Sequence, residues 1–170
     1  MDLVAKAFVA VAQRGRGLHL VVAGPDEGSE APAKEILHRA CLLNRVTFTG
    51  PLSGPEKWAA FRDSTLFLLP SEDENFGMAA LEALSMGVPV LLSPYVGLAD
   101  AVTKAQAGLV LPLDPTAWAE GIQQLLTNPK AVSSMGEAGR RLAKSEFSSQ
   151  PVATAMREAY ERILSHLPSR

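Results

Sequence analysis

The sequence predicts a single α/β domain on a parallel sheet, and three observations carry that prediction. Short β-rich apolar runs alternate with longer helical patterns, the order in which a parallel sheet with crossover helices is written. No strand signal remains downstream of Leu111, so the chain ends in helices. At 170 residues, 47% of them apolar, it is long enough for one well-packed core and too short for two ordinary domains.

Each element has its own signal. Met1–Gln13 reads as an opening helix. The first strand is Leu18–Gly24 (LHLVVAG) and the second Val46–Thr49 (VTFT). Leu66–Pro70 (LFLLP), Pro89–Leu92 (PVLL) and Gly108–Leu111 (GLVL) complete the set. Helices are expected between them near 30–41, 55–63, 77–86 and 98–104. Downstream, helical patterns cover 115–127, 130–144 and 149–165, separated by Asn128-Pro129 and by Ser148–Pro151. The first of these has a clean start, with Asp114 as cap and Pro115 at the first helical position. The Met and Leu residues of 125–142 fall at helical spacing and read as core. There is no internal repeat, low-complexity tract or interdomain linker.

Composition excludes several classes of function. A net charge of −2 argues against a general surface for nucleic acid or anionic membrane, although it leaves room for a local anion site. Cys41 is the only cysteine, which rules out an internal disulfide and any cysteine-based metal cluster. A reducing compartment, the cytoplasm, is expected. His19, His38 and His166 stand far apart with no ligand spacing around them, so no metal site is expected. No apolar run approaches the ~20 residues that span a bilayer, and no signal peptide is seen.

In a sheet of this kind the ligand crevice lies beyond the carboxyl ends of the strands. Four loops leave those ends: GPDEGS at 24–29, GPLSGP at 50–55, PSEDENFG at 70–77 and SPYVG at 93–97. The third runs into a helix expected to start near Phe76 or Gly77. The first amides of a helix lack internal partners and carry the positive end of its dipole, so this turn is a plausible diphosphate seat. Glu74 precedes it and Glu82 lies one to two turns inside. Glu82 is the only charge from Phe76 through Leu92, and a carboxylate in an apolar run needs a partner. No basic residue lies between Arg62 and Lys104, which favours a ligand as that partner. Two plainer readings stand beside these. Ser71-x-x-Glu74 matches a capping box, so Glu74 could simply cap the helix. Glu82 could be tied to a neighbouring backbone group or basic side chain.

Glu74 and Glu82 form an E-x7-E pair around Asn75-Phe76-Gly77, and the pair runs on into ALSMGVPV at 83–90. This pattern resembles the donor-binding domain of retaining glycosyltransferases of the GT-B fold, family 4, the group 1 glycosyltransferases. The likeness extends from Val4-x-x-Ala7-Phe8 to the C-terminal helix and includes LVLPLDP at 109–115. It implies a doubly wound, Rossmann-like sheet forming the C-terminal half of a GT-B fold. It implies transfer of a hexose from a nucleotide-sugar to an acceptor, with retention of anomeric configuration and without metal or other cofactor. Residue by residue, the likeness sets Glu74 against the donor hexose as the catalytic carboxylate. It turns the amides of Asn75, Phe76, Gly77 and Met78 towards sugar and diphosphate. Glu82 becomes the anchor of the two ribose hydroxyls, and backbone at Gly50 and Leu52 holds the base. Uridine, guanosine and adenosine donors all fit such backbone contacts. The acceptor, a saccharide, lipid or small molecule, is expected on a separate N-terminal domain. The full protein is then expected in the cytoplasm or at the cytoplasmic face of a membrane, with no transmembrane segment and no nucleic-acid partner.

The family's opening strand, with its G-R and K-G elements for the diphosphate, is absent from residues 1–170, as is the N-terminal domain. The chain alone is therefore expected to be inactive. Gly15-Arg16-Gly17 is a weak substitute, because it lies between a helix and a strand at the wrong end of the sheet. Without the opening strand, those at Leu18–Gly24 and Leu66–Pro70 are expected to close up and pair directly. Two other functions compete. One is a non-catalytic truncated domain that binds nucleotide weakly or pairs with a separate N-terminal chain. The other is an enzyme such as a sugar-nucleotide epimerase that needs no acceptor. The glycines at 24 and 28 lack the dinucleotide spacing, and neither a phosphate loop nor a G-x-S-x-G turn is present.

Overall fold

A computed structural model describes residues 1–15 and 17–165. The chain opens with α1 (Asp2–Ala12), β1 (Leu20–Ala23), α2 (Glu30–Arg39), β2 (Val46–Gly50) and α3 (Gly54–Asp63). It continues through β3 (Phe67–Leu69), α4 (Met78–Ser85), β4 (Val90–Leu92), α5 (Ala99–Ala105) and β5 (Gly108–Val110). Three helices close it: α6 (Pro115–Leu126), α7 (Pro129–Glu146) and α8 (Ser149–Ser165). Every element expected from the pattern is present, and a 3₁₀ turn at Leu43–Arg45 is added ahead of β2.

The helix starts follow their local chemistry. Asp114 Oδ1 accepts from the Ala117 amide at 2.8 Å and Asn128 Oδ1 from the Ala131 amide at 3.1 Å, each just before a proline. These are side-chain caps with the ring at the first helical position, where a missing N–H costs nothing. Asn128-Pro129 therefore does more than separate α6 from α7; it starts α7.

The strands are all parallel, but they form two sheets. β1 pairs with β2, and β4 lies between β3 and β5. β4 shows why the second sheet is the heart of the fold. Val90, Leu91 and Leu92 are fully buried, and their side chains alternate between the two faces. Val90 and Leu92 join a core with α4, α5 and α7, while Leu91 joins one built by α1 and α6 around Trp118. A third core sets α1 and α2 against Leu20, Val46 and Phe48 of the first sheet.

Direct pairing of the strands at Leu18–Gly24 and Leu66–Pro70 is not what the fold adopts. No ladder joins β1 to β3 among the described residues. The reason lies in α1, which packs on both sheets at once. Its Ala5, Phe8 and Ala12 sit in the core of the first sheet, and its Ala7 and Val11 in a core of the second. Closing the sheets would strip one of those faces from its partner. β1 and β3 thus each keep one edge without a ladder, and Val21 is 50% exposed. At the other end of the chain, no residue of α8 is buried.

Candidate functional site

The carboxyl ends of β3 and β4 are tied together before any functional side chain is considered. The Glu74 amide donates to Tyr95 O at 3.2 Å, the Gly97 amide to Glu74 O at 2.9 Å, and the Leu98 amide to Phe76 O at 3.1 Å. This short parallel clip brings the loop after β3 against the loop after β4. It works only because residue 97 is glycine: a Cβ there would stand 2.2 Å from Asn75 O. Gly77, the N-cap of α4, has φ +95° and lies so close to Val96 that a Cβ would meet its Cγ1 at 2.8 Å. The requirement at Gly77 is thus backbone conformation and packing, apart from any approach of a ligand.

Glu74, held by this clip, turns its carboxylate onto the start of α4. Its Oε1 accepts from the amides of Phe76 at 3.3 Å and Gly77 at 3.0 Å. The capping box suggested by Ser71-x-x-Glu74 does not form, because the Ser71 hydroxyl donates to Asp73 O instead. Glu74 thus does not cap α4 from its side chain; it holds two amides of the turn that leads into the helix, at Phe76 and at the N-cap Gly77, with charge-assisted bonds near the positive end of the helix. Two of the amides expected to face a diphosphate are therefore occupied by the chain's own carboxylate. Asn75 is exposed, Met78 is 60% exposed, and the Phe76 ring packs edge-on against Phe147 at 5.5 Å between centroids.

Glu82 lies five residues beyond Gly77, about 7.5 Å along the helix axis. Its partner is Lys57 of α3, whose Nζ stands 2.6 Å from Oε1. That cation lies outside the stretch between Arg62 and Lys104, because a tertiary neighbour need not be a sequence neighbour. Oε2 of Glu82 accepts no hydrogen bond from the described residues. The side chain keeps 23% of its surface exposed.

The remaining rim loops are mainly structural in this conformation. Gly50, with φ +67°, uses its carbonyl to accept from the Gly24 amide at 3.0 Å and the Thr49 hydroxyl at 2.9 Å. Leu52 is half-buried. In the 24–29 loop, Asp26 Oδ1 accepts from the Gly28 and Glu30 amides at 2.8 and 3.1 Å. The Glu30 bond above all holds its carboxyl below the usual aspartate value. Among the described residues no three His, Cys, Asp or Glu side chains gather as a metal site, and no helix is long and apolar enough to cross a membrane. Arg16 and His166 lie outside the described residues.

The model of the family described as glycosyl transferases group 1 matches residues 1–142. The chain belongs to the group 1 glycosyltransferases. A D-inositol 3-phosphate glycosyltransferase of Rhodococcus erythropolis is 32% identical over 169 residues, covering 95% of the chain and 38% of the relative. A glycogen synthase of Mycobacterium tuberculosis is 34% identical over 120 residues, covering 70% of the chain and 29% of the relative. Among solved structures, a sucrose-phosphate synthase from Thermosynechococcus elongatus superposes with a TM-score of 0.78 at 27% identity. That match covers 96% of the chain and 43% of the solved structure. The chain thus spans less than half the length of these relatives. The fold is that of the GT-B glycosyltransferases, α/β with parallel strands and ending in helices.

In this group 1 domain the structure draws together Glu74, Phe76 and Gly77, and separately Glu82 with Lys57. Lys57 is the residue that sequence reasoning passed over. Its signal was available: a cation in the first turn of the helix that follows the GPLSGP loop, opposite a carboxylate in need of a partner.

Proposed function

We propose that this chain is the donor-holding domain of a retaining hexosyltransferase, with a nucleoside diphosphate sugar as donor. The acceptor would be held by another region of a longer protein, as long as the relatives are. The observation that carries this reading is Glu82: a charged side chain on the opening turns of α4, with one oxygen held by Lys57 and the other taking no hydrogen bond from the described residues. A carboxylate so placed is an acceptor for vicinal hydroxyls, and a ribose supplies them.

The chemistry asked of the site is modest. Breaking the bond at the anomeric carbon builds positive charge on the sugar and negative charge on the departing diphosphate. Amides at the start of α4 stabilise the second, and a carboxylate beside the ring tolerates the first. On this reading the donor displaces Glu74 from the Phe76 and Gly77 amides. Those amides turn to the diphosphate, and the carboxylate comes to lie along the hexose. Neither step needs a metal or a cofactor.

Titration calorimetry tests the reading. Glu82→Gln should weaken binding of the preferred nucleoside diphosphate by about 1–3 kcal/mol, the range for losing a charged hydrogen bond. The fold should survive, because a partly exposed pair with Lys57 contributes only about 0–1 kcal/mol. The chain alone should transfer no sugar and bind diphosphates in the high-micromolar to millimolar range. Unchanged affinity in the variant removes the ribose anchor from the proposal.

A further inference from the structure

Lys57 and Glu82 stand 25 positions apart and on different helices, so their contact is made by the fold rather than by helical neighbours. The ammonium is itself fixed from a second side, lying 4.9 Å from the centroid of the Trp58 ring. Both side chains remain partly exposed, 31% for Lys57 and 23% for Glu82. Pairs of that kind add little to folding, so stability is a weak account of this one. What the pair does accomplish is geometric. A carboxylate free to turn would offer either oxygen in many orientations; with Oε1 held by the ammonium, Oε2 has fewer orientations open to it relative to α3 and α4. That oxygen has two lone pairs and can accept from two adjacent hydroxyls. Fixing an acceptor before its ligand arrives removes an ordering cost from binding.

We infer that Lys57 is a positioning residue of the donor site, which by holding Oε1 of Glu82 presets Oε2 as the acceptor for ribose hydroxyls and so sets a preference for ribonucleotides over 2′-deoxyribonucleotides. The inference rests on the reading of Glu82 as the ribose anchor. Lys57 acts through Glu82. It touches neither the sugar being transferred nor the bond being broken.

The test measures dissociation constants of UDP, GDP and ADP, each beside its 2′-deoxy form, for the native chain and for Lys57→Met, Lys57→Leu and Lys57→Arg. The native chain should prefer the ribo form of its best ligand by about tenfold, the equivalent of one hydrogen bond. Lys57→Met should weaken the ribo form by a similar factor and leave the deoxy form nearly unchanged, so that the preference collapses. Lys57→Arg, which can still donate to Oε1, should restore it. Lys57→Leu, which also lacks a donor, serves in place of the methionine variant if that one fails to fold. Equal weakening of both forms, or no change in either, overturns the inference alone. Equal weakening would show that Lys57 acts on phosphate, base or fold, and no change that it takes no part in binding. A native chain that binds ribo and deoxy forms alike, or binds none of the three diphosphates, overturns the reading of Glu82 and the inference with it.

Discussion

Glu74 and Glu82 carry the same charge and flank the opening of one short helix, yet their surroundings give them different tasks. Glu74 is spent on its own backbone, on the amides of Phe76 and Gly77, while Glu82 shares one oxygen with a cation from another helix. Removing each should therefore fail in a different way. Glu74→Ala deletes two charge-assisted hydrogen bonds that hold the turn into α4, which costs about 1–2 kcal/mol and should lower the thermal midpoint by a few degrees. It also frees two amides. In the proposed site the variant should then bind a bare nucleoside diphosphate at least as well as the native chain, and lose any preference for the sugar-bearing form. Calorimetry with both ligands decides it. Equal weakening of the two would leave Glu74 as a brace of that turn and nothing more.

The elements that matter for the site are the two loops, after β3 and after β4, and the clip that binds them. Three backbone hydrogen bonds join 74–76 to 95–98, and the contact is close enough that Gly97 admits no side chain. Gly97→Ala would drive a methyl group into the Asn75 carbonyl, which is backbone and cannot rotate away. The loop after β3 must then move, taking Glu74 and the start of α4 with it. Urea unfolding should show a loss of about 2 kcal/mol or more, the scale of a buried steric conflict. Nucleotide affinity should fall with it. A variant with native stability would mean that the loop yields without cost and the clip is not what positions Glu74.

For the whole molecule, the decisive feature is that five parallel strands do not make one sheet. The hydrogen bonds of β3 show the consequence. Phe67 N donates to Pro89 O at 3.0 Å and Leu69 O accepts from Ser93 N at 3.2 Å, so residues 67 and 69 face β4. By the alternation of a parallel ladder, the amide and carbonyl of Leu68 point to the other edge. Hydrogen exchange on the chain should find the Leu68 amide far less protected than those of Phe67 and Leu69. Comparable protection at all three would mean that this edge is covered in solution.

The order of strands and helices was legible because it depends on patterns within a few residues: apolar runs, prolines at helix starts, Asp114 as a cap. The E-x7-E pair was legible for the same reason, since the turn from β3 into α4 is local and its length fixes where Glu74 and Glu82 stand relative to the helix start. Their partners were not. Whether Glu82 meets a cation depends on how α3 lies against α4, and Lys57 is 25 residues away. Whether β1 meets β3 depends on α1, which buries apolar faces against both sheets and holds them apart. A local signal settles which element forms and which residues it carries. The contacts between elements are a balance of burial summed over the whole core, and only the packed chain strikes that balance.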